Sequence, residues 1–294
     1  MNKKNIKLLL KVLLTGVAIY LVIRKIDTQA TWQVLKDIDI GYLLLAILFF
    51  TLSKVISSFR LNFYFRDLEV GLSEKVNLKL YWKGMFYNLF LPGGIGGDGY
   101  KVYLLNKYFN GPVKKLLAAV LLDRISGLAA LVFLLLGIWF FLEKDGIDLP
   151  IWDLNVLAGV ALVLTPLVFG IVYWWWFRSF RSSMLISSVY SLLVQSSQLV
   201  CAYFILLALG IHEQILDYQF VFLLSSIVAV LPLTIGGVGA RELVFIFSHS
   251  YMGIDKNAAV AFSLIFFLIT ALVSLVGAFM KVDIEDELAG SVEH

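Results

Sequence analysis

Six long apolar runs constrain this chain before any other feature does. A helix rising about 1.5 Å per residue needs roughly 20 mostly apolar residues to cross a hydrocarbon layer about 30 Å thick. The runs at 6 to 23, 41 to 63, 114 to 142, 154 to 177, 183 to 210 and 258 to 280 meet that requirement and predict full membrane-spanning helices. Composition agrees. The 294 residues are 60% hydrophobic and 15% charged, with a mean hydropathy of +0.88, whereas a soluble domain carries about 45–50% apolar and about 25% charged residues. The surplus apolar surface must face lipid, so the expected fold class is an all-α, polytopic membrane protein. Lys7 and Lys11 place the first run late in the bilayer or partly at its surface. It has no small-residue cleavage site and is expected to stay in the mature protein. The lone Cys201 lies in an apolar run, which leaves no disulfide framework and no redox motif.

Two further apolar regions are interrupted. The region 76 to 109 breaks at Leu91-Pro92-Gly93-Gly94-Ile95-Gly96-Gly97-Asp98-Gly99, and 217 to 251 breaks at Leu231-Pro232-Leu233-Thr234-Ile235-Gly236-Gly237-Val238-Gly239. Proline removes a backbone donor and restricts its predecessor, while glycine admits backbone angles closed to other residues. Neither half of either region can cross alone. Irregular backbone at membrane depth is tolerated only where protein buries it or water reaches it, so the two breaks mark a cavity.

Shifting the chain by 140 positions superimposes the breaks. Leu91, Pro92, Ile95, Gly96, Gly97 and Gly99 meet their identical counterparts, and Lys101 meets Arg241. The same shift lays Ser57 on Ser197, and one more residue lays Ala130-Leu131-Val132 on Ala271-Leu272-Val273. The expected organisation is a single transmembrane domain over 1 to 289, with repeats at about 41 to 142 and 183 to 281. The final Gly290-Ser291-Val292-Glu293-His294 reads as an appended tail.

Lysine and arginine set orientation, because short loops rich in them stay cytoplasmic. With both broken regions as re-entrant hairpins, the cytoplasmic segments hold Lys3, Lys4 and Lys7, then Arg66, Lys75 and Lys79, then Lys107, Lys114 and Lys115, then Arg178 and Arg181, and last Lys281. The outer segments hold only Arg24, Lys25, Lys36, Lys144 and Lys256. Both termini are then cytoplasmic, Asn110 is cytoplasmic, Gly253 is external, and the two repeats are inverted. Inverted repeats with matching Gly/Pro-interrupted segments point to a transporter site near the bilayer midplane. Half-helix N-termini directed there attract anions.

Ionisable residues inside a bilayer are costly and functional by default. Lys101 and Arg241 follow the two glycine runs in matched places, Arg241 able to hold a phosphate through two parallel N–H bonds and Lys101 acting as a point charge. The structural alternatives are snorkelling for Lys101 and an Arg241–Glu242 pair. Asp98 stands where the second repeat has Val238, either as an N-cap or as a working carboxylate. Asp123 and Arg124 are adjacent on one span and point in different directions, so each should reach another helix: Asp123 to Lys101 or Arg241, Arg124 to Asp98, Glu242 or substrate. Snorkelling accounts for Lys54, Arg60 and Lys83, least comfortably for Arg60. The tryptophans at 174 to 176 before Arg178 read as an interfacial anchor. His212 and His249 have no partners at metal-ligand spacing, and the glycine loops lack a nucleotide-binding ending, so no metal and no cofactor is implied.

Three motifs together resemble one family. The Pro-Gly-Gly and Gly-Gly-Asp of residues 91 to 105, the Asp123-Arg124 pair followed by Gly127, and the Gly-Gly-Val-Gly-Ala-Arg-Glu ending at Glu242 are similar to the transmembrane domain of the lysylphosphatidylglycerol synthase/flippase family, the membrane half of multiple peptide resistance factors. The resemblance implies a lipid flippase or scramblase in the cell membrane that moves an anionic phospholipid or lipid-linked headgroup between leaflets. It has no soluble synthase domain after the last span, so synthesis is not expected here. The substrate-binding residues so indicated are Gly94, Gly96, Gly97, Asp98, Lys101, Asp123, Arg124, Gly236, Gly237, Gly239, Arg241 and Glu242. The expected substrate partner is a membrane lipid and no nucleic acid. A homodimer and a separate lipid-synthesising enzyme are compatible with this reading. A membrane glycosyltransferase or lipid-headgroup transferase with Asp98 or Asp123 as base is the alternative. An ion channel is disfavoured, because no ring of repeated charges is present.

Overall fold

A computed structural model of the chain describes residues 36–90, 95–142, 151–230 and 240–285, leaving aside a few side chains, that of Glu242 among them. The run at 6 to 23 lies outside them, as do both break loops at 91–94 and 231–239. The described regular elements are all helical: α1 (Ile40–Arg66), α2 (Glu74–Phe90), α3 (Gly96–Phe109), α4 (Val113–Trp139), α5 (Ile151–Trp176), a 3₁₀ turn (Arg178–Ser183), α6 (Met184–Ala208), α7 (Ile215–Val230), α8 (Ala240–Met252) and α9 (Lys256–Phe279). Among them α1, α4, α5, α6 and α9 are long and apolar enough to cross a membrane, matching the other five apolar runs. The chain is a polytopic membrane protein.

Long, short, short, long is the order of α1 to α4, and again of α6 to α9. The long helices α1 and α6 pack along their whole length. They run antiparallel: Asp39 N–H donates to the Ala208 carbonyl at one end, Phe49 stacks on Phe204 further in, and the Ser183 hydroxyl reaches the Phe63 carbonyl at the other end. Helices in matching places thus point in opposite directions, the relation that inversion requires. The rest of the packing exchanges in the same sense, with α9 lying on α2 and α4 on α7. Helix α5 has no counterpart.

The short helices fold back on each other. Asn88 on α2 accepts the Gly97 N–H of α3 at 2.8 Å, and Arg241 on α8 donates to Ser226 on α7 at 3.1 Å. In continuous helices these pairs would stand about 13 and 22 Å apart. Each broken region therefore folds back on itself between its two described helices. Arg124, which meets the first tip, lies near the midpoint of α4, and Phe266, which meets Arg241, lies near the midpoint of α9.

Close backbone approach sets this packing. A Cβ on Gly97 would fall 1.9 Å from the Gly84 carbonyl oxygen, and one on Gly277 would fall 2.1 Å from that of Trp82. No L side chain fits at either crossing. The Trp82 indole N–H donates to the Val273 carbonyl. Lys83 does not snorkel: its ammonium is buried and donates to the carbonyls of Ala278 and Met280, closing the C-terminal end of α9 where a cation is favoured. Beyond it Lys79 pairs with Asp283 at 3.6 Å and Tyr108 donates to Glu285. The Asp283 carboxyl, outside the spans, is held below the usual range by its bond to Lys281 and by Lys79. At the end of α5, Trp174 to Trp176 are exposed and Arg181 stacks on Trp174 while donating to its carbonyl, as an interfacial anchor should.

Gly97→Ala should therefore abolish cooperative thermal unfolding of the purified protein. Gly99→Ala, where an added Cβ meets nothing within 4 Å, should leave it unchanged or gain up to about 1 kcal/mol.

Candidate functional site

The first hairpin tip is built around one carboxylate. Helix α3 begins at Gly96 after Ile95, with no side-chain cap from its own N-cap residue. The cap comes from α2, where Asn88 takes the Gly97 N–H and donates through Nδ2 to Asp98 Oδ1 at 3.3 Å. Asp98 is thus not an N-cap. It sits in the first turn of α3, where a negative charge suits the helix dipole, and it gathers cations. Lys101 Nζ donates to Oδ1 at 3.2 Å, and Arg124 approaches Oδ2 through Nε and Nη2, both at 2.6 Å. Lys101 is buried, with its ammonium 4.8 Å from the centre of the Tyr81 ring, so it does not snorkel either. Arg124 keeps about a third of its side chain exposed.

One residue earlier on α4, Asp123 turns away from the hairpin. It pairs with Arg60 of α1 at 2.8 Å, not with Lys101 or Arg241. The helix geometry forces this divergence, since neighbouring residues project about 100° apart and Arg124 already faces the tip. Arg60 is buried and gives its second bond to Ser191 of α6, at 3.0 Å. Gln195 of α6 donates to the Gly127 carbonyl beside it, and the Tyr64 hydroxyl donates to Ser126. Arg60, assigned above to snorkelling, instead ties α1, α4 and α6 together at membrane depth.

At the second tip, Arg241 at the start of α8 donates to Ser226 and lies 4.7 Å over the Phe266 ring. Phe266 packs edge-on against Phe50, and Lys54 lies 4.5 Å over the Phe50 ring. Lys54 stands within electrostatic range of Arg241, Arg60 and Asp123. Such cation–ring contacts contribute about 0.5–2 kcal/mol each, the more so away from water. Gly94, Gly236, Gly237 and Gly239 fall outside the described residues, as does the Glu242 side chain.

The site residues read from sequence therefore separate into two tips. The structure unites Gly96, Gly97, Asp98, Lys101 and Arg124 at the first and puts Arg241 at the second. Between them stand Asp123 and two residues not assigned to the site, Arg60 and Lys54. Asn88 was missed as well, its only signal being an amide in an apolar half-helix just before the break. Five cations, Lys54, Arg60, Lys101, Arg124 and Arg241, share this region with two described carboxylates, Asp98 and Asp123. An arrangement with that imbalance favours an anionic ligand.

Residues 8–277 match the family described as the lysylphosphatidylglycerol synthase TM region. The chain belongs to this family. Among its relatives, the UPF0104 membrane protein of Pyrococcus horikoshii is 25% identical over 284 residues, covering 81% of this chain and 85% of the relative. That of Methanothermobacter thermautotrophicus is 23% identical over 276 residues, covering 77% and 80%. That of Methanocaldococcus jannaschii is 26% identical over 218 residues, covering 67% and 93%. Their names describe membrane proteins and say nothing of a substrate.

The Arg60–Asp123 pair is a structural element of this family member with a measurable weight. Arg60→Ala leaves Asp123 as an uncompensated buried charge, an expected loss of about 3–5 kcal/mol. Arg60→Met combined with Asp123→Leu should recover most of the apparent Tm, because no charge is then stranded.

Proposed function

We propose that the protein is a lipid flippase or scramblase that carries an anionic phospholipid or lipid-linked headgroup between leaflets, without catalysing its synthesis. The cation excess at mid-span depth supports this reading above all else. Bringing a phosphate out of water without partners is heavily penalised. Arginine and lysine side chains at the two tips offset that penalty from inside the protein.

The tips are not equivalent, and the difference suggests a sequence of contacts. At the first, Asp98 already occupies the anion position and holds both Lys101 and Arg124. A phosphate arriving there competes with Asp98 for the half-exposed Arg124. At the second, the position matching Asp98 is Val238, and the contacts of Arg241 include the Ser226 hydroxyl and the Phe266 ring; its planar fork suits a phosphate. Arg241 is the principal phosphate contact in this scheme, and Arg124 the one that hands over. Asp98 is engaged by cations on both oxygens and Asp123 by Arg60 on Oδ1, and this engagement favours transport over group transfer. The family's description links such a membrane region to lysylphosphatidylglycerol synthase, and a phospholipid substrate is consistent with that.

Translocation of a fluorescent anionic phospholipid in reconstituted vesicles tests the proposal. Arg241→Ala should lose most of the activity, and Arg241→Lys should retain part, since lysine keeps the charge but not the planar fork. Wild-type rates in Arg241→Ala, at unchanged thermal stability, would exclude the headgroup role. Orientation is checked separately. Lys114→Cys and Tyr251→Cys, both exposed at helix ends, should be labelled by an impermeant thiol reagent from opposite sides of the membrane, while the buried Cys201 stays silent.

A further inference from the structure

We infer that a groove between α5 and α6, floored by α4, binds one acyl chain of a membrane lipid. Helices α5 and α6 follow each other through the 3₁₀ turn, yet α5 packs on α4 and on the turn and makes no comparable contact with α6. The gap between them is a cavity of about 250 Å³, walled by Ala130 and Phe133 of α4, Pro166 and Phe169 of α5, and Met184 and Leu192 of α6. It runs from the start of α6 towards the midpoints of α4 and α5. Pro166 sits inside α5 and has no N–H to give to the preceding turn, which is where a helix opens or bends.

The hydroxyls in the wall decide which part of a lipid fits. Ser126 donates to the Asp123 carbonyl, Thr165 to Ala161, Ser188 to Met184 and Ser191 to Ser187. Each is committed to its own helix, and Ser126 and Ser191 also accept from Tyr64 and Arg60 behind them. A headgroup entering here meets no available donor. A hydrocarbon chain needs none. The volume lies below the roughly 300–1,000 Å³ of drug-sized ligand sites, which suits a single chain and not a whole lipid. Outside the groove, Leu167 on α5 and Val189 and Leu193 on α6 are exposed apolar side chains on spanning helices, so the neighbouring phase is lipid tails.

The inner end of the groove is the serine pair that contacts the Arg60–Asp123 network, so a bound chain ends one residue from the buried charges. The inference needs the protein to be embedded in a bilayer and does not depend on translocation.

Photolabelling of the full chain in vesicles tests it, using a phospholipid with a diazirine near the end of one acyl chain, read by peptide mass spectrometry. Label is expected on the groove-facing residues of α4, α5 and α6. It should fall several-fold in Ala129→Leu and Ala130→Trp, which fill the groove, and not in Leu164→Trp, on the exposed side of α5. Label spread evenly over the lipid-facing helices of the wild-type protein, or unchanged by both filling variants when they remain folded, would overturn the inference. So would equal groove labelling by a probe with the diazirine in its headgroup. If the filling variants fail to fold, the wild-type pattern alone decides. Translocation measured in the same vesicles keeps the two proposals apart, since groove labelling without lipid movement defeats only the transport reading, and the reverse defeats only this one.

Discussion

Polar groups in hydrocarbon have nowhere to go but to other protein groups, and the architecture of this chain follows from that constraint. A half-helix that begins inside a membrane-spanning bundle presents backbone N–H groups that need partners. At the first break, Asn88 reaches across the hairpin to the Gly97 N–H, and Asp98 binds the charges that gather there. The hairpin can therefore exist only in contact with α4, which contributes Arg124. The contact requires α2 and α3 to touch, and this is why Gly84 and Gly97 meet without side chains between them.

The same constraint explains the burial of charges along the α1–α4–α6 interface. Arg60 and Asp123 would each be prohibitive alone; as a pair completed by Ser191 they become a fixed point between three spanning helices. Because Asp123 and Arg124 are adjacent on α4, the first hairpin tip and the Arg60 pair are anchored to the same point of one helix. Here the proposed headgroup site meets the mechanical centre of the fold.

Symmetry provides the frame and asymmetry the chemistry. Matched helices pack in matched ways, but Val238 stands where the first repeat has Asp98, and Arg241 meets Ser226 and the Phe266 ring. The unmatched helix α5 leaves a groove beside α4. Two chemically different tips suit a ligand that is received on one side and released on the other better than two identical ones would.

Membrane class, the five described spans and both interrupted regions were legible from residue order alone. They depend on run length, on Pro and Gly, and on spacing, all of them properties local to the chain. Lys101, matched to Arg241 by sequence, stands in the second turn of α3, whereas Arg241 stands in the first turn of α8. Asp98 was one of three partners open to Arg124, beside Glu242 and substrate, and the structure pairs the two. The partner of Asp123 was not legible. Choosing Arg60 over Lys101 or Arg241 depends on how α4 is rotated against α1, and no local pattern records that rotation. Lys54, Lys83 and Lys101 were open to snorkelling for the same reason, since a lysine near a helix end looks alike whether water or another helix's carbonyls or aromatic rings await it. Tertiary packing alone decided which cations are enclosed, which amide closes the first tip, and where α5 stands away from α6, because each is set by distances between segments far apart in sequence.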